Sequence, residues 1–234
     1  EGLKTIKAND YSELENAFDD TTAALLLECV QGEGGVNILD KEWVQAAAAQ
    51  ARKAGAIVMV DEVQTGIGRT GVFLASDAFG ISPEVVTLAK GIAGGIPMSA
   101  CLFRGKAANV FESGDHQSTF AGNPLACAAA LLVLETVSKK DFLENVSHLG
   151  SLIRQEVSSW KNPLIKDVRG LGLMIGIQFD SKISVLDIKK KCLANALCVT
   201  TAGSDVIRFL PPLNISKKDA LQGLRIFKDV ISSL

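Results

Sequence analysis

The sequence predicts an α/β protein in which part of a parallel-sheet domain precedes a smaller α+β domain. Two observations carry this expectation. Apolar runs of strand length alternate with a helical pattern through the first third, and beyond residue 122 the chain turns to long helices around a glycine-rich extended segment.

The first apolar run, Ala23 to Leu27, has strand length. Residues 40–54 follow a helical pattern, with Asp40 as the expected N-cap, Glu42 in the first turn, Arg52 and Lys53 in the last and Gly55 just beyond. A second run, Ala56 to Val60, completes a βαβ unit, a crossover that joins parallel strands. Further strands are expected at Val85 to Ala89, after Pro83, and at Met98 to Phe103. Both are apolar throughout, as a sheet buried on two faces requires.

From Asn123 a long helix should run to about Ser138, with Pro124 at its first position. Its apolar stretch from Leu125 to Leu134 is too short for a bilayer core, which takes ~20 helical residues, and reads as a buried helix. A second helix spans Asp141 to Trp160, with Phe142, Val146, Leu149 and Ile153 at helical spacing. One strand is expected from Val168 to Phe179, through Gly170, Gly172 and Gly176. Helices then start at Ser184 and Ser216, each with an aspartate three residues on, a variant of the capping box. The expected domains are residues 1–122, a connecting helix 123–138, and 139–234.

Composition narrows the function. The chain is 47% hydrophobic and 21% charged, enough apolar material for a sizeable core. Its 24 lysines and arginines nearly balance 26 acidic residues, so no basic field exists to hold nucleic acid or an anionic membrane. A small-molecule partner is expected; composition constrains location only weakly, and the expected location is cytoplasmic, with an organellar form that has lost a targeting segment as the alternative. The five cysteines form no C-x-x-C pair and His116 lies far from His148, which argues against structural zinc or a disulfide framework. Glu1 is not an initiator methionine, and no signal-peptide pattern follows it.

Ligands of parallel α/β sheets sit beyond the carboxyl ends of the strands. Glu28, Asp61 and Lys90 end the first three runs. The segment Gly66 to Gly71 matches G-x-G-x-x-G after a strand, a dinucleotide-binding pattern, but it leads into Val72, Phe73 and Leu74 rather than opening a helix. The acidic residue expected at the end of the next strand is also replaced, by Lys90. A carboxylate and a lysine at successive strand ends suit pyridoxal phosphate better. That cofactor needs an amine for covalent attachment and an acid beside its ring nitrogen. Glycines at 91, 94 and 95 leave room for a bulky group.

The strings DEVQTGIGRTG (61–71), TLAKGIAGGIPMSA (87–100), STFAGNPLACAAA (118–130) and RFLPPLNI (208–215) resemble those of class III aminotransferases over essentially the whole chain. Within that class the sequence is most similar to the acetylornithine-using branch. The resemblance implies the fold-type-I architecture, pyridoxal 5'-phosphate as cofactor, Lys90 as the Schiff-base lysine and Asp61 as partner of the pyridinium nitrogen. It implies that Val63 packs on the ring and that Gln64 lies near the phenolic oxygen. Thr119 matches a residue that contacts the cofactor phosphate of the neighbouring subunit, which implies a homodimer with shared active sites. Arg208 matches the arginine that grips a substrate carboxylate, and Glu33 the glutamate that pairs with it when no such carboxylate is bound. The alternative for this pair is a structural ion pair near the surface. Read without the resemblance, Val63 is ordinary core, Gln64 a loop amide and Thr119 a loop hydroxyl. Glu28 reads as a structural acid, and His148 as solvated.

The implied reaction is ping-pong transamination between N-acetylornithine and 2-oxoglutarate, a step of arginine biosynthesis. Alternatives are another ω-aminotransferase of the class, acting on ornithine, succinylornithine, succinyldiaminopimelate or 4-aminobutyrate, or a non-catalytic fragment that needs a partner chain. The sequence departs from the family's usual pattern at Cys29, Gln117 and Ala121. The family's helix-terminus phosphate loop, ring-stacking aromatic and second substrate arginine lie upstream of the part matched here. By itself, the 234-residue chain is therefore expected to bind the cofactor weakly.

Overall fold

The computed structural model describes residues 2–234. In chain order its elements are α1 (Tyr11–Leu14), β1 (Ala24–Leu27), β2 (Val30–Gln31), β3 (Asn37–Ile38), α2 (Lys41–Lys53), β4 (Ile57–Asp61), α3 (Ala75–Phe79), β5 (Val85–Leu88), β6 (Ala100–Phe103), α4 (Pro124–Val137), α5 (Lys140–Ser159), β7 (Ile165–Leu171), β8 (Met174–Phe179), α6 (Val185–Ala194), β9 (Thr200–Ala202), β10 (Val206–Phe209) and α7 (Lys217–Ser232). They group into two compact units. The first holds residues 2–29, 39–67 and 74–136; the second holds 30–38, 68–73 and 137–234.

The first unit is built on a sheet of order β1-β4-β5-β6. β1 pairs with β4 and β4 with β5 in parallel, so the run–helix–run pattern forms the βαβ unit that its periodicity requires. α2 packs on β1 and β4 through Trp43, Val44, Ala47, Ala48 and Ala51. Asp40 does occupy the N-cap position, but its side chain makes no capping bond; its backbone N–H is held instead by Asn9 Oδ1 at 2.9 Å.

Two expectations, for β6 and for α4, need correction here. β6 runs antiparallel to β5, and it is exposed over three of its four residues rather than buried on both faces. The other face of β1 is likewise open, with Leu26 64% exposed. α4 is not a buried helix either: Ala126 and Ala130 are buried, whereas Leu125, Leu131 and Leu132 are exposed. An apolar run reports what a helix is able to bury, and nothing among the described residues of the unit covers that side of this one.

The second unit carries an antiparallel sheet of order β7-β8-β10-β9, beside the small ribbon β2–β3. Its core gathers Val146, Leu149 and Ile153 from α5, Ile175 and Ile177 from β8, and Leu224 and Phe227 from α7. The serine N-caps form as their sequences dictate: Ser184 Oγ accepts the N–H of Asp187 at 3.2 Å, and Ser216 Oγ that of Asp219 at 3.0 Å. The single strand expected over residues 168–179 is instead a hairpin, β7 and β8, paired up to Leu171 and Met174. Gly172, at φ +52, makes the turn that continuous extended backbone lacks.

That turn fixes the packing around it. A side chain on Gly150 of α5 would fall on the carbonyl of Gly172, and one on Gly172 would fall on the backbone of Arg69, Thr70 and Gly71. Arg69 ties the same place together: Leu173 N–H donates to its carbonyl at 3.0 Å, and its Nη1 donates to the carbonyls of Leu173 at 3.1 Å and Pro211 at 2.7 Å. Burial pushes the Arg69 guanidinium down to about 10, which leaves it charged at neutral pH. Gly150→Ala is therefore expected to destabilise this unit by about 1–3 kcal/mol, the usual cost of overpacking against backbone that cannot yield. Chemical denaturation measures it; an unchanged midpoint would mean that α5 can slide away from the turn.

Candidate active site

Asp61 closes β4, and its register partner on β5 is Thr87. Register partners on parallel strands share a sheet face, so Asp61 and Thr87 point to the same side of the carboxyl edge. Lys90 lies three positions farther on, where the chain leaves β5. It is exposed and holds φ +49, the left-handed region that a lysine rarely occupies. A backbone so held at a strand end is often part of a functional arrangement. A side chain added at Gly91 or Gly95 would meet nothing within 4 Å, so the space beside Lys90 is open.

After Asp61 the chain makes a tight, hydrogen-bonded turn. Asp61 Oδ1 accepts the N–H of Val63 at 2.9 Å, and the Glu62 carbonyl accepts that of Gly66 at 2.9 Å. Gly66 is obligatory there, because a Cβ would come within 2.8 Å of Leu88 and 2.9 Å of the Glu62 carbonyl. Val63 and Gln64, both half-buried, ride on this turn at the same sheet edge. Glu28 follows β1 directly and is half-buried. Thr119 sits in the exposed turn of residues 119–122 before α4, and among the described residues no hydrogen bond joins it to Asp61 or Lys90. His116 is exposed, its ring 6.3 Å from that of Phe111; His148 is exposed on α5.

This edge has the makings of a pyridoxal phosphate site. It presents an amine, a carboxylate, an amide and an apolar side chain, with open space next to the amine. It also holds an unsatisfied group: Thr87 Oγ1 is buried without a hydrogen-bond partner, although such hydroxyls are almost always bonded in native proteins.

In the second unit, Arg208 interrupts the apolar strand β10. Its Nη1 meets Glu33 Oε1 at 2.9 Å and its Nε donates to Thr200 Oγ1 at 3.2 Å. The two partners differ in exposure, with side chains 8% exposed for Arg208 and 71% for Glu33. Gly176 lies opposite Arg208 on β8, and a Cβ there would press on Gly35 and Val36. The backbone of the glutamate's loop is anchored separately, since the Glu33 carbonyl accepts the N–H of Gly203 at 2.8 Å and the Gly35 carbonyl accepts from Arg169 at 2.7 Å.

One buried group escaped sequence reasoning. Glu62 is 1% exposed, with both carboxylate oxygens bonded inside the protein. Strand parity carried the signal: Val58, Val60 and Glu62 alternate, and the first two are buried.

The family model for class-III aminotransferases matches residues 3–231. The chain belongs to that family. Among relatives of this class-III aminotransferase, the acetylornithine aminotransferase of Caldanaerobacter subterraneus subsp. tengcongensis is 40% identical over 235 residues, covering 100% of this chain and 59% of the relative. The protein of the same name from Methanocaldococcus jannaschii is 38% identical over 224 residues, covering 94% of this chain and 56% of its own. Solved structures agree on the fold. An ornithine aminotransferase from Toxoplasma gondii, described as having partial occupancy of PLP at its active site, superposes with a TM-score of 0.93 at 34% identity, over 99% of this chain and 56% of that one. The N-acetylornithine aminotransferase of Stenotrophomonas maltophilia K279a gives 0.89 at 31% identity, over 98% and 62%. The expected architecture, partial fold-type-I, is the one found. The chain spans about 59% of the length of the first of these relatives.

Proposed function

We propose that this class-III aminotransferase chain carries the lysine-bearing part of a pyridoxal-phosphate-dependent enzyme that transfers an amino group from N-acetylornithine to 2-oxoglutarate. The observation that carries the reading is the placement of Asp61 and Lys90 at the carboxyl ends of adjacent parallel strands, with open space beside the amine. The shared name of the relatives supports the donor. A homodimer, in which Thr119 reaches the partner's cofactor phosphate, and a cytoplasmic location belong to the same proposal and rest on the family resemblance.

Bound at this edge, pyridoxal phosphate would supply an electron-withdrawing ring that stabilises negative charge on the substrate carbon losing its proton. Lys90 Nζ would hold the cofactor covalently and, once displaced by the substrate amine, would take that proton and return it one position away. Asp61 would keep a proton on the ring nitrogen, Val63 would pack on the ring and Gln64 would bond its phenolic oxygen. The test is conversion of 2-oxoglutarate to glutamate by the cofactor-loaded protein with N-acetylornithine as donor. Turnover with ornithine alone would favour the donor named for the Toxoplasma structure, and no turnover with any ω-amine would overturn the reading.

We further propose that Arg208 binds the carboxylate next to the reacting carbon and that Glu33 competes for it when the bound substrate lacks one. The buried guanidinium and exposed carboxylate support this, because the member of the pair that must leave is the one already facing water. A charge-assisted hydrogen bond is worth ~1.5–3 kcal/mol. Arg208→Lys, which loses the planar fork, is therefore expected to slow the 2-oxoglutarate half-reaction by roughly one to two orders of magnitude more than the acetylornithine half. Glu33→Ala should raise relative activity toward glutamate. Stopped-flow absorbance of each half-reaction measures both; equal losses for Arg208→Lys and no shift for Glu33→Ala would make the pair structural.

A further inference from the structure

The loop between β4 and α3 leaves the first unit after Ile67 and returns to it at Leu74. Its two ends are fastened to each other by one side chain. Glu62 Oε2 accepts the Thr65 hydroxyl at 2.6 Å and the Ala75 N–H at 2.9 Å, while Oε1 accepts the Ser76 N–H at 2.7 Å. Two of these donors open α3 and the third closes the turn that holds Val63 and Gln64. The carboxylate is buried in a place where a charged side chain is hard to accommodate unless fully bonded. It also faces the thiol of Cys29, which desolvation first and Glu62 second push up to about 12.

We propose that Glu62 is a positioning residue for the cofactor: it clasps the base of the loop and so fixes Val63 and Gln64 against the ring. This rests on the functional reading above. Glu62 touches no reacting atom; it acts through the turn. The geometry also explains why a carboxylate stands here rather than its amide. Each oxygen receives a backbone N–H that cannot rotate away, so wherever a glutamine placed its NH2 group, that group would face another donor. Thr65 is more tolerant, because a hydroxyl can donate or accept.

The test is Glu62→Gln in the cofactor-loaded protein, read by the dissociation constant for pyridoxal phosphate and by the pH at which the bound cofactor's visible absorbance changes. The expected result is about a tenfold or greater rise in the dissociation constant together with a shift of that titration, since Gln64 and Val63 no longer hold the ring in one place. A lowered melting temperature with both readouts unchanged would make Glu62 merely structural and overturn the proposal. If Glu62→Gln fails to fold, Thr65→Val takes its place, because it removes one of the three donors and keeps both backbone bonds. A smaller shift of the same titration supports the clasp, and none overturns it. The two readings fail separately: if Lys90→Ala abolishes the covalent absorbance while Glu62→Gln leaves cofactor binding intact, the positioning role falls and the aminotransferase assignment stands.

Discussion

Lys90→Ala, made in the cofactor-loaded protein, is expected to lower turnover by about four orders of magnitude or more while leaving part of the non-covalent cofactor affinity. Two contributions are lost together. In the proposed role the amine would be both the covalent attachment point and the base that moves the proton, the latter worth ~10²–10⁴-fold by itself. The affinity that remains would come from groups the substitution does not touch, in their proposed roles: the Asp61 carboxylate, Val63 and Gln64. The backbone should survive, since alanine at φ +49 is strained no more than lysine. Absorbance of the reconstituted variant and its single-turnover rate measure the effect. Covalent absorbance retained in the variant would remove Lys90 from the role and point to another amine.

Asp61→Asn is the second large effect, with an expected loss of about two to three orders of magnitude in the proton-transfer step, the usual cost of removing one preorganised electrostatic partner. Asparagine is nearly isosteric, and its amide oxygen can still accept the Val63 N–H that now bonds Asp61 Oδ1 at 2.9 Å. The turn is therefore preserved and the charge alone is withdrawn. A neutral amide cannot keep the ring nitrogen protonated, so the carbanion-stabilising power of the ring falls while substrate contacts stay as they were. The loss should appear in the single-turnover rate and not in substrate affinity. An equal weakening of substrate binding, or an unchanged rate, would place Asp61 in a structural role.

Much of the edge that bears these two residues was readable because it depends on local pattern. Apolar runs of strand length ending in Asp61 and just before Lys90 specify parallel strands once a helix of crossover length lies between the first two, and the ends of such strands meet at one edge. The serine N-caps at Ser184 and Ser216 were equally local, each made within four residues.

What local pattern could not supply was the partner of each surface. The apolar run of α4 looked like core, yet its leucines are exposed, because periodicity measures capacity for burial and not the presence of a neighbour. The hairpin at Gly172 read as one long strand, since a glycine in an extended series does not announce whether it bulges or reverses the chain.

The sequence by itself determined the fold class, the strand ends and the residue types available for chemistry, because those follow from spacing along the chain and from side-chain identity. Tertiary structure alone decided that the Glu62 carboxylate is closed off by Thr65, Ala75 and Ser76, whereas the meeting of Glu33 with Arg208 across 175 positions followed from the family resemblance and from no spacing along the chain. Such bonds arise when folding brings distant backbone N–H groups and charges into one desolvated place, where each must find a partner, and no sequence spacing encodes that meeting.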